Sequence, residues 1–149
     1  MGTQEAMDAK RAVRKRKRNT LSAVSDLLTV VDSVMDHCPW TKQTSPDQMV
    51  KHTASELREI ADELAAGKER AVQLQEELGD LFFDAFLLAA QCRREYGIDV
   101  GAAAHAAAAK VKRRCPHVFG DEVATTAAEA AAIWQRVKRE EHRVPAAHQ

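Results

Sequence analysis

The sequence ERAVQLQEELGDLFFDAFLLAAQCRREYG, at residues 69–97, carries the clearest helical pattern of the chain. Its apolar side chains recur at spacings of three and four residues, which is typical of one broad face of an α-helix. They are Val72, Leu78, Leu81, Phe82, Ala85, Phe86, Leu88, Ala89 and Cys92. Gly97 ends the pattern, because glycine is the usual residue just past a helix C-terminus. We therefore predict a long, largely buried helix over residues 69–96.

A second helix is predicted just before this one. Ser45-Pro46-Asp47-Gln48 combines an N-cap serine, a proline at the first helical position and a capping-box glutamine. Its apolar stripe consists of Met49, Leu57, Ile60, Ala61 and Leu64, and Gly67 closes it. We expect these two helices to form the centre of a helical bundle.

Shorter signals predict the flanking helices. A helix over about residues 20–35 ends at Cys38-Pro39, because the residue before a proline avoids the helical region. Asp99 can cap an Ala-rich helix that ends before Cys115-Pro116, and residues 116–124 then form a loop. A capping box between Thr126 and Glu129 opens a last helix. No alternating strand pattern, GxGxxG motif or Walker loop is present, so the predicted fold class is all-α, with four to five helices.

Composition predicts one ordinary soluble domain. The 149 residues are 45% hydrophobic and 30% charged, and 22 basic residues balance 22 acidic ones, so net charge indicates no partner. Seven of the nine residues 10–18 are basic. We expect residues 1–18 to be a disordered basic segment, residues 19–142 to be the domain and residues 143–149 to be a disordered tail.

Cysteine usage points to a reducing compartment. Cys38, Cys92 and Cys115 form no CxxC pair, which argues against a disulfide framework and a zinc knuckle. No apolar run approaches membrane-spanning length, and no secretory signal is present. We expect a cytoplasmic protein that does not associate with membranes, although the basic N-terminus leaves nuclear or organellar targeting open.

Four carboxylates form the candidate site. Glu56 and Glu59 share one face of the second helix, and Glu77 and Asp80 share one face of the third, because residues three apart are neighbours on a helix. Acids interleaved with a buried face repel one another and are costly without a cation. Oxygen ligands suit Mg²⁺, or Mn²⁺, rather than zinc, and Mg²⁺ binds substrate phosphates. A solvated acidic helix face is the alternative, whereas a di-iron bundle would need Glu-x-x-His, which the chain lacks.

Five motifs occur in a recognisable order along the chain. They are CPW at 38–40, ELRE at 56–59, EELGDL at 76–81, KVKRRCPHVFGD at 110–121 and WQRVK at 134–138. In this order they resemble the MazG nucleoside triphosphate pyrophosphohydrolases of the all-α NTP pyrophosphatase superfamily. The resemblance spans about residues 21–141.

The resemblance implies a Mg²⁺-dependent enzyme that cleaves NTPs and dNTPs between the α and β phosphates, as in nucleotide-pool cleansing. It implies that Glu56, Glu59, Glu77 and Asp80 are the metal ligands and catalytic residues. It also implies that the nucleotide is bound by Lys110, Arg114, Trp134 and Lys138, which form two i, i+4 pairs. A homodimer or higher homo-oligomer would complete the bundle. Either Glu59 or Glu76 could act as general base.

Four positions depart from the usual family pattern. Ser55 replaces the first acid of the EExxE motif, and Ala108 replaces an asparagine two residues before the family's lysine. Cys115 replaces the histidine of RRHPH, and Thr41 replaces the aspartate after CPW. These changes leave the metal ligands in place and leave base and sugar preference open.

Two other functions remain alternatives. Residues 10–18 could bind nucleic acid phosphates, but we expect a solvated tail instead, because the acidic faces of the domain would repel DNA. A catalytically silent, dimeric helical scaffold is the other alternative, against which the four retained carboxylates argue.

Overall fold

The computed structural model describes residues 2–143, with side chains from residue 6 onward, and this part of the chain is helical without strands. The chain divides into two compact units, Met1–Ile98 and Asp99–Gln149. The predicted all-α class is confirmed. No helix among residues 2–143 combines the length and apolar character needed to cross a bilayer.

The first unit contains the central helices. Its elements are α1 (Gly2–His37), α2 (Pro39–Gln43), α3 (Pro46–Ala66), a 3₁₀ turn (Lys68–Arg70) and α4 (Ala71–Tyr96). The short connection makes α3 and α4 an antiparallel helical hairpin. These two helices make the most extensive contact in the chain, and α1 packs against α4. The predicted central pair is therefore confirmed.

Local signals set the ends of α3. Ser45 Oγ accepts a hydrogen bond from the Gln48 backbone N–H at 3.3 Å, and Gln48 Oε1 accepts one from the Ser45 N–H at 2.8 Å. Pro46 occupies the first helical position, where its missing N–H costs nothing. Gly67 ends the helix with φ at 109°, a conformation that strains other residues. The predicted capping box and the predicted stop are both confirmed.

The core of this unit is small. Val31, Met49, Leu87 and Ala90 are buried, and partly buried hydrophobic side chains pack against them: Met35, Phe83, Phe86 and Leu88. Part of the predicted apolar face of α4 is exposed instead among the described residues. Val72 is 67% exposed, Phe82 53% and Leu78 37%.

The N-terminal segment differs from the sequence prediction. Residues 2–18, expected to be disordered, form the first half of α1, which begins at Gly2 rather than near Thr20. The helix continues because no proline and no internal glycine follow Gly2 before Cys38, and because Ala, Lys and Arg favour helix. Residues 6–23 are all exposed, and Val24 is the first partly buried residue of the helix.

The second unit contains α5 (Val100–Arg114), α6 (Pro116–Phe119) and α7 (Ala127–Arg143). Asp99 caps α5 by accepting a hydrogen bond from the Gly101 N–H at 2.7 Å, as predicted. The predicted box at α7 is also present, since Glu129 accepts from the Thr126 N–H and Thr126 Oγ1 accepts from the Glu129 N–H. The short α6 lies in the segment predicted as a loop, because Pro116 suits a first helical position. Residues 144–149 of the expected tail lie outside the described residues.

The capping box gives a stability prediction. Replacing Ser45 by alanine, Ser45→Ala, leaves the Gln48 N–H without its side-chain acceptor and should lower the free energy of unfolding by about 1 kcal/mol. Urea denaturation followed by circular dichroism measures this change. Ser22→Ala, at an exposed position inside α1, is the matched control and should not destabilise the protein. Equal midpoints for Ser45→Ala and wild type would contradict the prediction.

Candidate active site

Three of the four predicted ligands converge on the α3–α4 hairpin. Glu56, Glu59 and Glu77 each contribute one carboxylate oxygen, and the three oxygens lie within 4.8 Å of one another. Glu56 and Glu77 are half-buried, whereas Glu59 is exposed. Oxygens that share one Mg²⁺ at about 2.1 Å stand about 3 to 4 Å apart, so a small inward movement would let this cluster hold the ion.

Asp80, the fourth predicted ligand, is exposed and does not belong to this three-oxygen cluster. Its charge nevertheless acts on both half-buried members. Burial, and then the charge of Glu59, raises the pKa of Glu56, with Asp80 contributing further. Burial and the charge of Glu59, followed by that of Asp80, also raise the pKa of Glu77. Asp80 therefore lies at the edge of the cluster, within electrostatic reach of its members.

Helix register explains this arrangement. Met49 on α3 and Leu87 on α4 are both buried in the core, and each lies seven residues, or two turns, from one of the four predicted ligands. Because the helices run antiparallel, two turns along α3 reach Glu56 while two turns back along α4 reach Asp80. The apolar core thus fixes which acids face each other.

Asp84 was missed by the sequence analysis. It is only 9% exposed, and its Oδ2 has no hydrogen-bond partner among the described residues. Burial raises its pKa, the charge of His52 opposes that change, and the charge of Asp80 adds to it. The available signal was its position one turn after Asp80, as an acid inside an apolar run.

Trp40 and Phe119, two aromatic residues of the family motifs, are not core residues. Trp40 is 49% exposed and meets the His52 ring edge-on, with ring centroids 5.4 Å apart and planes at 76°. His52 precedes Glu56 by one turn on α3, so this aromatic pair borders the acidic cluster. Phe119, in the second unit, is 58% exposed.

In the second unit, Arg114 and Trp134 lie together as α5 packs on α7. The Arg114 guanidinium carbon lies 5.3 Å from the centre of the Trp134 ring. The same guanidinium donates two hydrogen bonds to Glu141 Oε2, at 2.7 and 2.9 Å, and this pairing lowers the pKa of Glu141. Sequence reasoning missed Glu141, although it follows Trp134 by seven residues on the same helix face.

Lys110 and Lys138 are the exposed members of the predicted nucleotide-binding set. Lys110 lies one turn before Arg114 on α5, and Lys138 lies one turn after Trp134 on α7. The Arg114 side chain is 14% exposed and paired with a carboxylate, so much of its charge is already compensated. The two lysines are therefore better placed than Arg114 to offer charge to a phosphate.

The chain shares its sequence and fold with known proteins. A family model of the MazG nucleotide pyrophosphohydrolase domain matches residues 44–119. The nucleoside triphosphate pyrophosphohydrolase of Escherichia coli (strain K12) is 32% identical over 131 residues, which are 86% of this chain and 49% of that protein. An uncharacterized 26.1 kDa protein in the blaB 3' region of Streptomyces cacaoi is 36% identical over 118 residues, which are 78% of this chain and 48% of that protein.

A solved structure shares the fold. The crystal structure of a mazG-related protein from Thermotoga maritima superposes with a TM-score of 0.69 at 32% identity, covering 77% of this chain and 98% of that chain. The chain spans about half the length of the curated relatives it matches.

The raised carboxyl pKa values predict how stability depends on pH when divalent cations are removed. Because the pKa values of Glu56, Glu77 and Asp84 are higher in the folded chain than in the unfolded chain, protonation of these groups stabilises the folded chain. This stabilisation is fully present below the ordinary carboxyl pKa of about 4. It is lost as the pH rises through each raised pKa. In EDTA, the melting temperature should therefore be higher at pH 5 than at pH 7.

Differential scanning fluorimetry measures this effect. Asp84→Asn, which is neutral at every pH, should narrow the difference between pH 5 and pH 7, and Asp36→Asn, at an exposed acid on α1, should leave it unchanged. Adding Mg²⁺ at pH 7 should raise the melting temperature, because an ion that binds only the folded state stabilises it. A wild-type protein that melts lower at pH 5 than at pH 7 in EDTA would contradict the prediction.

Proposed function

The chain belongs to the MazG nucleotide pyrophosphohydrolase family, and from this membership we propose that it hydrolyses nucleoside triphosphates to monophosphates and pyrophosphate with the help of Mg²⁺. The observation that carries the proposal is the convergence of Glu56, Glu59 and Glu77 from two helices. Burial and the charges of neighbouring acids raise the pKa values of Glu56 and Glu77, which is typical of a site that binds a divalent cation. Mn²⁺ is an alternative to Mg²⁺ at such a site.

The residues of the cluster would have separate roles. Glu56 and Glu77 are half-buried and would hold the ion. The Asp80 side chain would rotate toward the ion to act as a further ligand. When bound, the ion supplies positive charge that offsets the triphosphate and orients its α-phosphorus. Water would attack that phosphorus and give a proton to a carboxylate acting as general base. The bond from the phosphorus to the oxygen that bridges the α and β phosphates would break, and pyrophosphate would leave. The two candidates for that general base are Glu59, which is exposed within the cluster, and Glu76.

Residues of the second unit would bind the nucleotide. Lys110 and Lys138 would contact phosphate oxygens as exposed point charges. One face of the Trp134 ring is covered by the Arg114 guanidinium, so a base could stack only on the other face. Glu141 holds Arg114 in this position. Arg114 would therefore have two roles: it would orient the Trp134 ring, and it would contact the substrate.

Uncovered apolar side chains support a homodimer or higher homo-oligomer. In the single chain, large hydrophobic residues of the α3–α4 hairpin are exposed by 37 to 67%: Leu57, Leu64, Val72, Leu78 and Phe82. Large exposed apolar patches on a protein often mark contacts with another protein. A second copy packed on this hairpin would enlarge the small core.

The cellular role that fits such an enzyme is the removal of unwanted nucleotides from the pool. Three free cysteines are compatible with a reducing compartment, and we place the protein in the cytoplasm on that ground.

The metal ligands give the first activity test. Glu56→Gln and Glu77→Gln should each lower kcat/KM by more than about 100-fold, because loss of even an outer-shell partner of a metal costs about 10- to 100-fold. Circular dichroism should show unchanged helix content. Asp47→Asn, at an acid in the first turn of α3, is the matched control and should keep wild-type turnover. Normal turnover in both glutamine variants would exclude these residues as ligands.

The product identifies the bond that is cut. With a panel of NTPs and dNTPs and excess Mg²⁺, we expect one pyrophosphate and one monophosphate per triphosphate consumed, and no reaction in EDTA. Coupled assays for pyrophosphate and orthophosphate, calibrated against each other, measure the ratio. Orthophosphate as the sole product would refute cleavage between the α and β phosphates. A protein that binds neither Mg²⁺ nor a non-hydrolysable triphosphate by calorimetry would be the silent scaffold.

A further inference from the structure

The basic segment at residues 10–18, KRAVRKRKR, has no role in the proposed hydrolysis. In the structure it forms part of the exposed stretch of α1 that precedes the first partly buried residue, Val24. At about 1.5 Å per residue, the exposed residues 6–23 form a rod about 27 Å long. The charges therefore have fixed relative positions, which a disordered tail would not give them.

Most of these positive charges lie on one side of the helix. With 3.6 residues per turn, six of the seven cations fall within an arc of about 160°, and we call this set the basic face. Its members are Lys10, Arg11, Arg14, Lys15, Lys17 and Arg18. Four of them, Arg11, Arg14, Lys15 and Arg18, line a single surface depression. The remaining cation, Arg16, points to the opposite side, together with Ala9, Ala12 and Val13.

Charge is segregated along the chain. Residues 10–18 contain none of the 22 acidic residues. In the rest of the chain, these 22 acidic residues outnumber the remaining 15 basic residues. The rest of the chain therefore carries a net negative charge. The basic face carries the densest run of positive charge in the chain, so a long polyanion should bind there first, and its binding should depend strongly on salt.

The opposite side of the helix argues against a lipid surface as the partner. Helices that lie in a membrane interface carry large apolar side chains such as Trp, Phe and Leu on the side away from their charges. Here that side carries Ala9, Ala12 and Val13, which bury little apolar area. The attraction is therefore electrostatic, without an apolar anchor.

Geometry favours double-stranded DNA. B-DNA presents one phosphate charge per about 1.7 Å of its axis, and an α-helix of about 10 to 12 Å diameter fits its major groove of about 12 Å. The deep, narrow major groove of duplex RNA does not admit a helix. We propose that the basic face of α1 binds the phosphate backbone of double-stranded DNA without regard to sequence. The expected solvated tail is thereby replaced by an organised binding surface.

The test is a titration of the full chain against a fluorescein-labelled 20-base-pair duplex of arbitrary sequence, followed by anisotropy at several KCl concentrations. Each phosphate neutralised contributes about −0.9 to the slope of log K against log salt, so six contacts give a slope of about −5. Dissociation constants of about 1 to 100 µM at physiological salt are the expected range.

Two matched single variants test the helical face itself. Arg18→Gln, at the centre of the basic face, should reduce the steepness of the slope by about 0.9, whereas Arg16→Gln, on the opposite side, should leave it unchanged. Glutamine keeps the helix propensity high, which circular dichroism checks. Equal effects of the two variants would show a flexible basic tail and overturn the proposal.

A set of four substitutions tests location. Replacing Arg11, Arg14, Lys15 and Arg18 by glutamine should abolish DNA binding at physiological salt and leave triphosphate turnover intact. The control set, Lys51, Lys68, Lys112 and Arg139 to glutamine, changes net charge equally at exposed positions elsewhere and should bind DNA as wild type does. Equal losses in both sets would overturn the proposal. So would absence of DNA binding at 50 mM KCl, or equal or tighter binding to 30% phosphatidylserine vesicles or duplex RNA.

Discussion

The packing of α3 along α4 is the constraint on which the rest of the molecule depends. Met49 from one helix and Leu87 and Ala90 from the other are buried together, and their contact fixes the register of the hairpin. Two to three turns from Met49 on α3 and from Leu87 on α4, the same register brings Glu56, Glu59 and Glu77 into one cluster. The apolar contacts hold these acids together against their mutual repulsion, and that repulsion is what makes the cluster receptive to a cation.

The two compact units differ in how their charged side chains are paired. In the first, acids gather without a basic partner in the cluster, and burial with mutual repulsion raises the pKa of Glu56 and Glu77. In the second, Arg114 is already paired with Glu141 and lies over Trp134. A preformed pair of this kind orders the Trp134 ring, and groups that are ordered before binding lose less entropy on binding.

The size of the core limits what one chain can stabilise alone. The buried hydrophobic residues of the described chain are few, while Val72, Phe82 and Leu64 of the central hairpin remain more than half exposed. These residues lie at helical spacing on the apolar faces of regular helices. Their exposure therefore means that no described element packs on that part of the hairpin, and not that the helices are distorted. Self-association would bury such a surface, and the clustered acids lie on the same two helices.

The sequence by itself determined the helices and their limits. Ser45, Pro46 and Gly67 delimit α3, and Asp99 and Thr126 cap the later helices, because each of these signals acts through atoms within about three or four residues. The motifs were also enough to identify the family. At the N-terminus, high charge indicated disorder, yet residues 2–18 are helical, because an uninterrupted run of good helix formers extends α1 beyond its packed half.

Only the tertiary structure decided which of the marked side chains meet. Spacing could not show that Asp80 lies at the edge of the cluster, that Asp84 is buried one turn further on, or that Glu141 holds Arg114. Spacing along one helix fixes a face, but the partner of that face is set by the register and rotation of a second helix. That register is determined by the packing of apolar side chains distant in sequence, and no local pattern records it.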